Sequence, residues 1–278
     1  MRTHSSFAGT RLSLFLAGAL LLPAIASAQD TVRIDGSTGI KPLVSALADA
    51  FMKQQAGISI EIGEGLDGKA RIEALEGGVI DIATASHGLK IDELTQKGMA
   101  VHQIAVTPVV FATNSGVGVS ALSEDEICSI YSGKVTNWNQ LKGPDMPVAV
   151  FTRPNSEVDA EVVLEGVSCL KGMAMPASVT VAAKAGDMAK ALESTLGAIG
   201  MTTSTMVEQS GGKIELVALN GVNPDEANLQ AGKYTLVREA FLVVDGSPSE
   251  AVSAFLAFVT SSEGRAVISA NGAFPTKQ

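Results

Sequence analysis

Cysteine, histidine and aromatic side chains are all scarce in this 278-residue chain, which has two Cys, three His, one Trp and two Tyr. The histidines His87 and His102 are isolated, with no Cys or carboxylate at metal-ligand spacing, so a zinc or similar centre is not expected. So few Trp and Tyr leave little with which to stack a base or a sugar. There is no G-x-S-x-G and no H-E-x-x-H, so the common hydrolase and metalloprotease signatures are missing, and no enzyme activity or cofactor is expected. Positive charge is also short. Twenty Lys and Arg against 29 Asp and Glu give a net charge of −9, which argues against nucleic acid or an anionic membrane as partner.

Long apolar runs are limited to the N-terminus. Arg2 and Arg11 precede "LSLFLAGALLLPAIA", and Ala26-Ser27-Ala28 offers a small-x-small cleavage pattern. Residues 1–28 read as an export signal, giving a soluble periplasmic product that is not membrane-inserted. Without them the balance is 18 basic residues against 29 acidic, a net −11. An exported chain meets an oxidising setting, so Cys128 and Cys169 are a candidate disulfide; their spacing leaves paired and free thiols both open.

The segment "GEGLDGKA" (63–70) is one residue short of the phosphate-loop signature, with Ala70 in place of the Ser or Thr that holds magnesium. A nucleotide is therefore not expected, although a Gly-rich turn between a strand and a helix still presents N–H groups to an anion.

Short β-branched runs alternate with helix-period segments, the pattern of an α/β protein. "TVRID" (31–35), "ISIEIG", "VIDIATAS", "VAVFTR" (148–153), "AIGMTT" and "KIELVALN" read as strands. Leu43, Leu47 and Phe51 recur on one helix face, and Ser123 with Glu126 forms a capping box. Trp138 reads as a packing residue. "VHQIAVTPVVFATN" (101–114) reads as a strand region broken at Pro108, and "YTLVREAFLVV" (234–244) as a second long one. With no flexible linker present, these two regions read as crossings between lobes: residues 29–112 plus 238–278 form lobe 1 and residues 113–237 lobe 2, with a cleft between them.

Four stretches fall where a strand ends and a helix begins: "GSTG" (36–39), "GEGLDGK" (63–69), "ASHG" (85–88) and "TRPNSE" (152–157). In open α/β sheets such edges converge on one crevice. They supply the hydroxyls of Ser37, Thr38, Ser86 and Ser156, helix N-terminal amides, and the cations Lys69, Arg71 and Arg153, a set suited to an oxyanion. Each has an ordinary structural role as well. Ser37 or Thr38 reads as an N-cap, Ser156 as a cap paired with Asp159, and Arg71 and Lys69 as parts of a solvated face. Arg153 stands out because a planar fork of donors at a cleft edge matches a tetrahedral oxyanion.

The stretches "IDGSTGIKPLVSALADAF", "GGVIDIATAS", "ICSIYSGKVTNWNQL", "GPDMPVAVFTR" and "AVSAFLAFVTSSEGRAVISANGAFP" resemble the periplasmic phosphate-binding proteins of ABC importers. The resemblance spans nearly all of the chain after residue 28. It implies two α/β lobes, each a mixed, mostly parallel sheet flanked by helices, joined by two crossover strands and closing on phosphate or a related oxyanion. It also implies delivery of the ligand to a membrane ABC permease, which is most easily pictured for a monomer. Carried residue by residue, it makes Ser37, Thr38, Gly39, Asp67, Gly68, Lys69, Ser86, His87, Arg153 and Ser156 the ligand set. The departures fall on the ligand loops. The second has no Ser, the third carries His87, and the fourth carries Glu157 and Asp159 after Arg153. Asp67 and Asp159 are alternatively helix N-terminal carboxylates standing where an anion would sit. The altered loops leave room for an organic or phosphonate-like anion, and a ligand sensor uncoupled from transport would share these features.

Overall fold

The structure is a computed structural model that describes residues 1–4, 30–86 and 88–276. Most of the segment read as an export signal, and His87, lie outside the described residues.

The first half-sheet is built from β1 (Asp30–Gly36), β2 (Ile58–Ile62) and β3 (Ile82–Ser86), separated by α1 (Lys41–Gln54) and α2 (Gly68–Glu76). After α3 (Ile91–Gln96) comes the 16-residue strand β4 (Met99–Asn114). The second half contains β5 (Ala121–Leu122), α4 (Glu124–Tyr131), a 3-10 turn at Trp138–Leu141, β6 (Ala149–Thr152), α5 (Val158–Gly166), β7 (Thr180–Val181) and α6 (Ala185–Ser194). It continues through β8 (Ala198–Thr203), α7 (Ser204–Gln209), β9 (Ile214–Leu219) and α8 (Glu226–Gln230). The chain then returns along β10 (Val237–Asp245) and ends with α9 (Glu250–Thr260), α10 (Ser262–Ala270) and β11 (Phe274–Pro275).

Strand order β2-β1-β3-β10-β4 defines the first sheet, with β1, β2 and β3 parallel and β10 antiparallel to both of its neighbours. Beyond Pro108, β4 changes partners and runs antiparallel to β8 and β9, while β8, β6 and β7 continue in parallel. Two lobes result, each with its own apolar core. One is packed around Ile34, Leu47, Phe51, Leu242 and Phe255. The other is packed around Phe111, Ile127, Tyr131, Trp138 and Met201.

The sequence pattern broke the 101–114 region at Pro108, whereas the structure has one continuous strand there. Proline donates no ladder hydrogen bond, so a sheet tolerates it only where no donor is needed. Pro108 occupies such a place. It is the last residue of β4 paired with β10, opposite Val237, and the next N–H, that of Val109, donates to Leu236 C=O at 2.8 Å. The two strands thus cross between the cores side by side, at 107–109 and 236–238.

Ser123 and Glu126 form the reciprocal capping box on α4. Trp138 is fully buried and donates its indole N–H to Gly197 C=O at 2.9 Å. Cys128 of α4 and Cys169 are joined by a disulfide with a Cα separation of 6.1 Å, closing a loop of 41 residues in sequence separation. The chain-entropy account assigns such a loop about 4 kcal/mol. Replacing both cysteines by serine should lower the unfolding free energy in urea by up to that amount.

Candidate functional site

The three parallel strands of the first lobe end at one edge, and the loops leaving them are tied together by backbone and carboxylate bonds. Asp35 Oδ1 accepts from the N–H groups of Gly36 and Gly65, at 2.7 and 2.9 Å, which fastens the first loop to the second. Gly36 has φ +138, and a Cβ there would lie 2.2 Å from Thr84 C=O, so only glycine allows the first loop to pack against β3.

Against this edge lies a residue that the loop-by-loop reading missed. Arg238, on β10 at the crossing, is 2 % exposed. Its Nη1 donates to the Asp159 carboxylate in the first turn of α5, and its Nη2 donates to Ser37 Oγ at 3.1 Å and Ser86 Oγ at 2.6 Å. The guanidinium packs against Gly39, where an added Cβ would come within 2.1 Å of Nη1. One side chain therefore joins both lobes and two of the predicted loops. A signal for it was present: Arg238 and Glu239 are the only charged residues in the otherwise apolar "YTLVREAFLVV", and a charge in a core strand needs partners.

Arg153 is likewise 2 % exposed, at the end of β6. Its Nη2 donates to Glu157 at 2.7 Å and its Nη1 to Ala182 C=O at 3.1 Å. Glu157 is the N-cap of α5. The two buried arginines thus flank the start of one helix, each held by an acid from it.

Arg71, read from the sequence as a solvated face, is half-buried instead. Burial lowers its pKa from the ordinary arginine value, Asp67 opposes that shift, and the like charge of Arg238 adds to it. The Nε atoms of Arg71, Arg153 and Arg238 are all buried without a hydrogen-bond partner. Unpartnered buried donors are costly, and three of them on cations describe a place that wants acceptors.

Of the predicted residues, Ser37, Gly39, Ser86 and Arg153 are drawn in around α5 and Arg238, and Thr38 lies in the turn that leads into α1. The second loop differs. Asp67 is the N-cap of α2, accepting from the N–H groups of Lys69 and Ala70 at 3.1 and 2.9 Å. Those N–H groups, Ala70 first, hold the Asp67 carboxyl below its usual pKa. Asp67, Gly68 and Lys69 are exposed, and Lys69 pairs with Glu73 at 3.2 Å. Ser156 is not the cap of α5. The Glu157 N–H donates to Pro154 C=O, closing a turn that leaves Ser156 exposed. Moving the cap to Glu157 makes Asp159 an inward-facing partner of Arg238 rather than the second half of a capping box. Neither Ser37 nor Thr38 caps α1, whose N-cap is Ile40 with no side-chain bond.

No group of three metal-ligating side chains is found among the described residues. No single helix among them is long and apolar enough to cross a membrane.

A buried cation at a two-lobe crossing, ringed by hydroxyls and helix starts, is the arrangement of a solute-binding cleft. A family model described as the PBP superfamily domain matches residues 23–263, and the chain belongs to that superfamily. Among curated proteins it is 26% identical over 253 residues to the phosphate-binding protein PstS of Bacillus subtilis, covering 89% of this chain and 81% of that one. Among solved structures it is similar to a Clostridium perfringens protein described as a phosphate ABC transporter substrate-binding protein with bound phosphate. That match has 28% identity and a TM-score of 0.71, covering 89% of this chain and 100% of the other. An ABC-type phosphate transport receptor from Vibrio cholerae shares the fold at 23% identity and a TM-score of 0.58, over 87% of this chain and 99% of that one.

Removing one partner of a buried ion pair strands the other charge, at about 3–5 kcal/mol. Asp159→Ala should therefore destabilise the protein by that order in urea unfolding. The double change Asp159→Leu with Arg238→Met should recover most of the loss.

Proposed function

We propose that the chain is an exported solute-binding protein that captures phosphate or a related oxyanion between its lobes and hands it to an ABC permease, with no catalytic step. Its lobes exchange at the crossings near Pro108 and Val237, and residues 1–28 serve as the export signal. The observation that carries this reading is the buried Arg238, bonded at once to Asp159, Ser37 and Ser86. Similarity to proteins named for phosphate supports the choice of anion.

In this site Ser37, Ser86 and the backbone at Thr38 and Gly39 donate from the first lobe, and Arg153 from the second, with Arg238 between them. The N-terminal end of α1 adds its dipole to the positive field, although Pro42 supplies no N–H there. Asp159 already places a carboxylate oxygen on Arg238, the kind of acceptor that an oxyanion would offer. A bound anion competes with that carboxylate, or shares a proton with it when the ligand carries one. A fully ionised anion facing Asp159 is repelled, whereas a protonated one donates to it, so hydrogen phosphate is favoured over sulfate. The exposed Lys69 and Ser156 act at the rim, if the cleft closes further, rather than as primary ligands.

Calorimetric titration of the purified protein with phosphate, arsenate and sulfate tests the reading: saturable heat with phosphate that exceeds the heat with sulfate is expected, and absence of heat with all three overturns it. Arg153→Ala should weaken phosphate binding by about 2–5 kcal/mol, roughly 30-fold or more, with the fold retained. An unchanged affinity would remove Arg153 from the ligand set.

A further inference from the structure

Beside this site lies a groove between α2 and α3 with a volume of about 410 Å³, within the usual range for pockets that take small organic ligands. Its rim carries three ion pairs: Lys69–Glu73 at 3.2 Å, Lys90–Glu93 at 2.9 Å and Lys97–Glu76 at 2.9 Å. Each rim lysine is thereby neutralised. Ile72, Leu89 and Leu94 give the groove its apolar surface.

One lining charge is left over. Arg71 forms no ion pair among the described residues, and its buried Nε has no acceptor. Helix α2, which carries Arg71, packs against β10, which carries Arg238. Gly88, on the groove wall, is two residues beyond Ser86, whose hydroxyl binds Arg238. The groove therefore lies beside the anion site, because α2, which forms one of its walls, packs on β3 and on β10, the strands that carry Ser86 and Arg238.

A bare tetrahedral anion uses neither this volume nor an apolar surface. A ligand with a charged head and an apolar body uses both. We propose that the groove is a subsite for the organic substituent of a phosphonate or phosphate monoester. The head group lies at Arg238, Arg71 bridges head and body, and the substituent lies on Ile72, Leu89 and Leu94. This rests on the oxyanion reading above and names the class of ligand that the same site admits.

The test compares phosphate, methylphosphonate and phenylphosphonate by calorimetry on the purified protein. Phenylphosphonate should bind about tenfold or more tightly than methylphosphonate, because only the phenyl group removes apolar surface of the groove from water. Ile72→Trp, which fills the groove, should cancel that advantage and leave phosphate affinity unchanged. Leu89→Ser, which strips the apolar surface without crowding it, should weaken phenylphosphonate about threefold or more and spare phosphate. Phosphate binding with no preference for the phenyl compound, or equal losses for both ligands in the variants, overturns the subsite and leaves the oxyanion reading standing. No binding of any of the three ligands overturns both.

Discussion

A guanidinium cannot be buried alone, and much of the cleft follows from accommodating Arg238. Transfer of an unpaired charge into an apolar strand would cost far more than a domain's net stability, so the fold has to bring acceptors to it. Asp159 comes from the second lobe, and Ser37 and Ser86 come from the first. Gly39 is required because any side chain there would occupy the space of the guanidinium. One cation therefore constrains residues in three segments and bonds to both lobes. Lesser bonds support the same closure. Gln209 of α7 donates to Pro42 C=O and to Asn271, and Ser204 donates to Gly272 C=O.

Such a site is costly to assemble for stability alone, since buried ion pairs often do no better than apolar replacements. Three unpartnered Nε donors add to that cost. In the proposed site, a ligand that supplies oxygen acceptors to them would recover part of it. Asp159 would have a double role in the proposed site: it holds the cation in place, and its carboxylate would face an incoming anion.

Much of the architecture was legible in the sequence because its signals were periodic and local. The Leu43, Leu47 and Phe51 stripe and the Ser123 and Glu126 box describe elements set by short-range spacing. The site was legible only in part, for reasons of phase and distance. The Asp67 cap fixes the start of α2, and Lys69 and Arg71, two residues apart, then point roughly 200° away from each other around the helix. Arg71 turns inward and Lys69 outward, the reverse of the weight that the loop pattern gave them. A one-residue shift of the cap on α5 did the same to Ser156 and Asp159. Arg238 lies about 200 residues from Ser37 and 79 from Asp159, so no local pattern connects them. Its only mark was a charged pair within an apolar run.

Pro108 bears on the motion that such a cleft requires. A strand that bends at an ordinary residue gives up a backbone hydrogen bond or stretches one, but a ring nitrogen has none to give up. The interlobe joint in β4 is therefore already released on its donor side, while the ring keeps φ from swinging freely. At the crossing β4 therefore spends no donor of its own at residue 108, and the direct backbone tie to the neighbouring strand just beyond it is the Val109 N–H on Leu236 C=O.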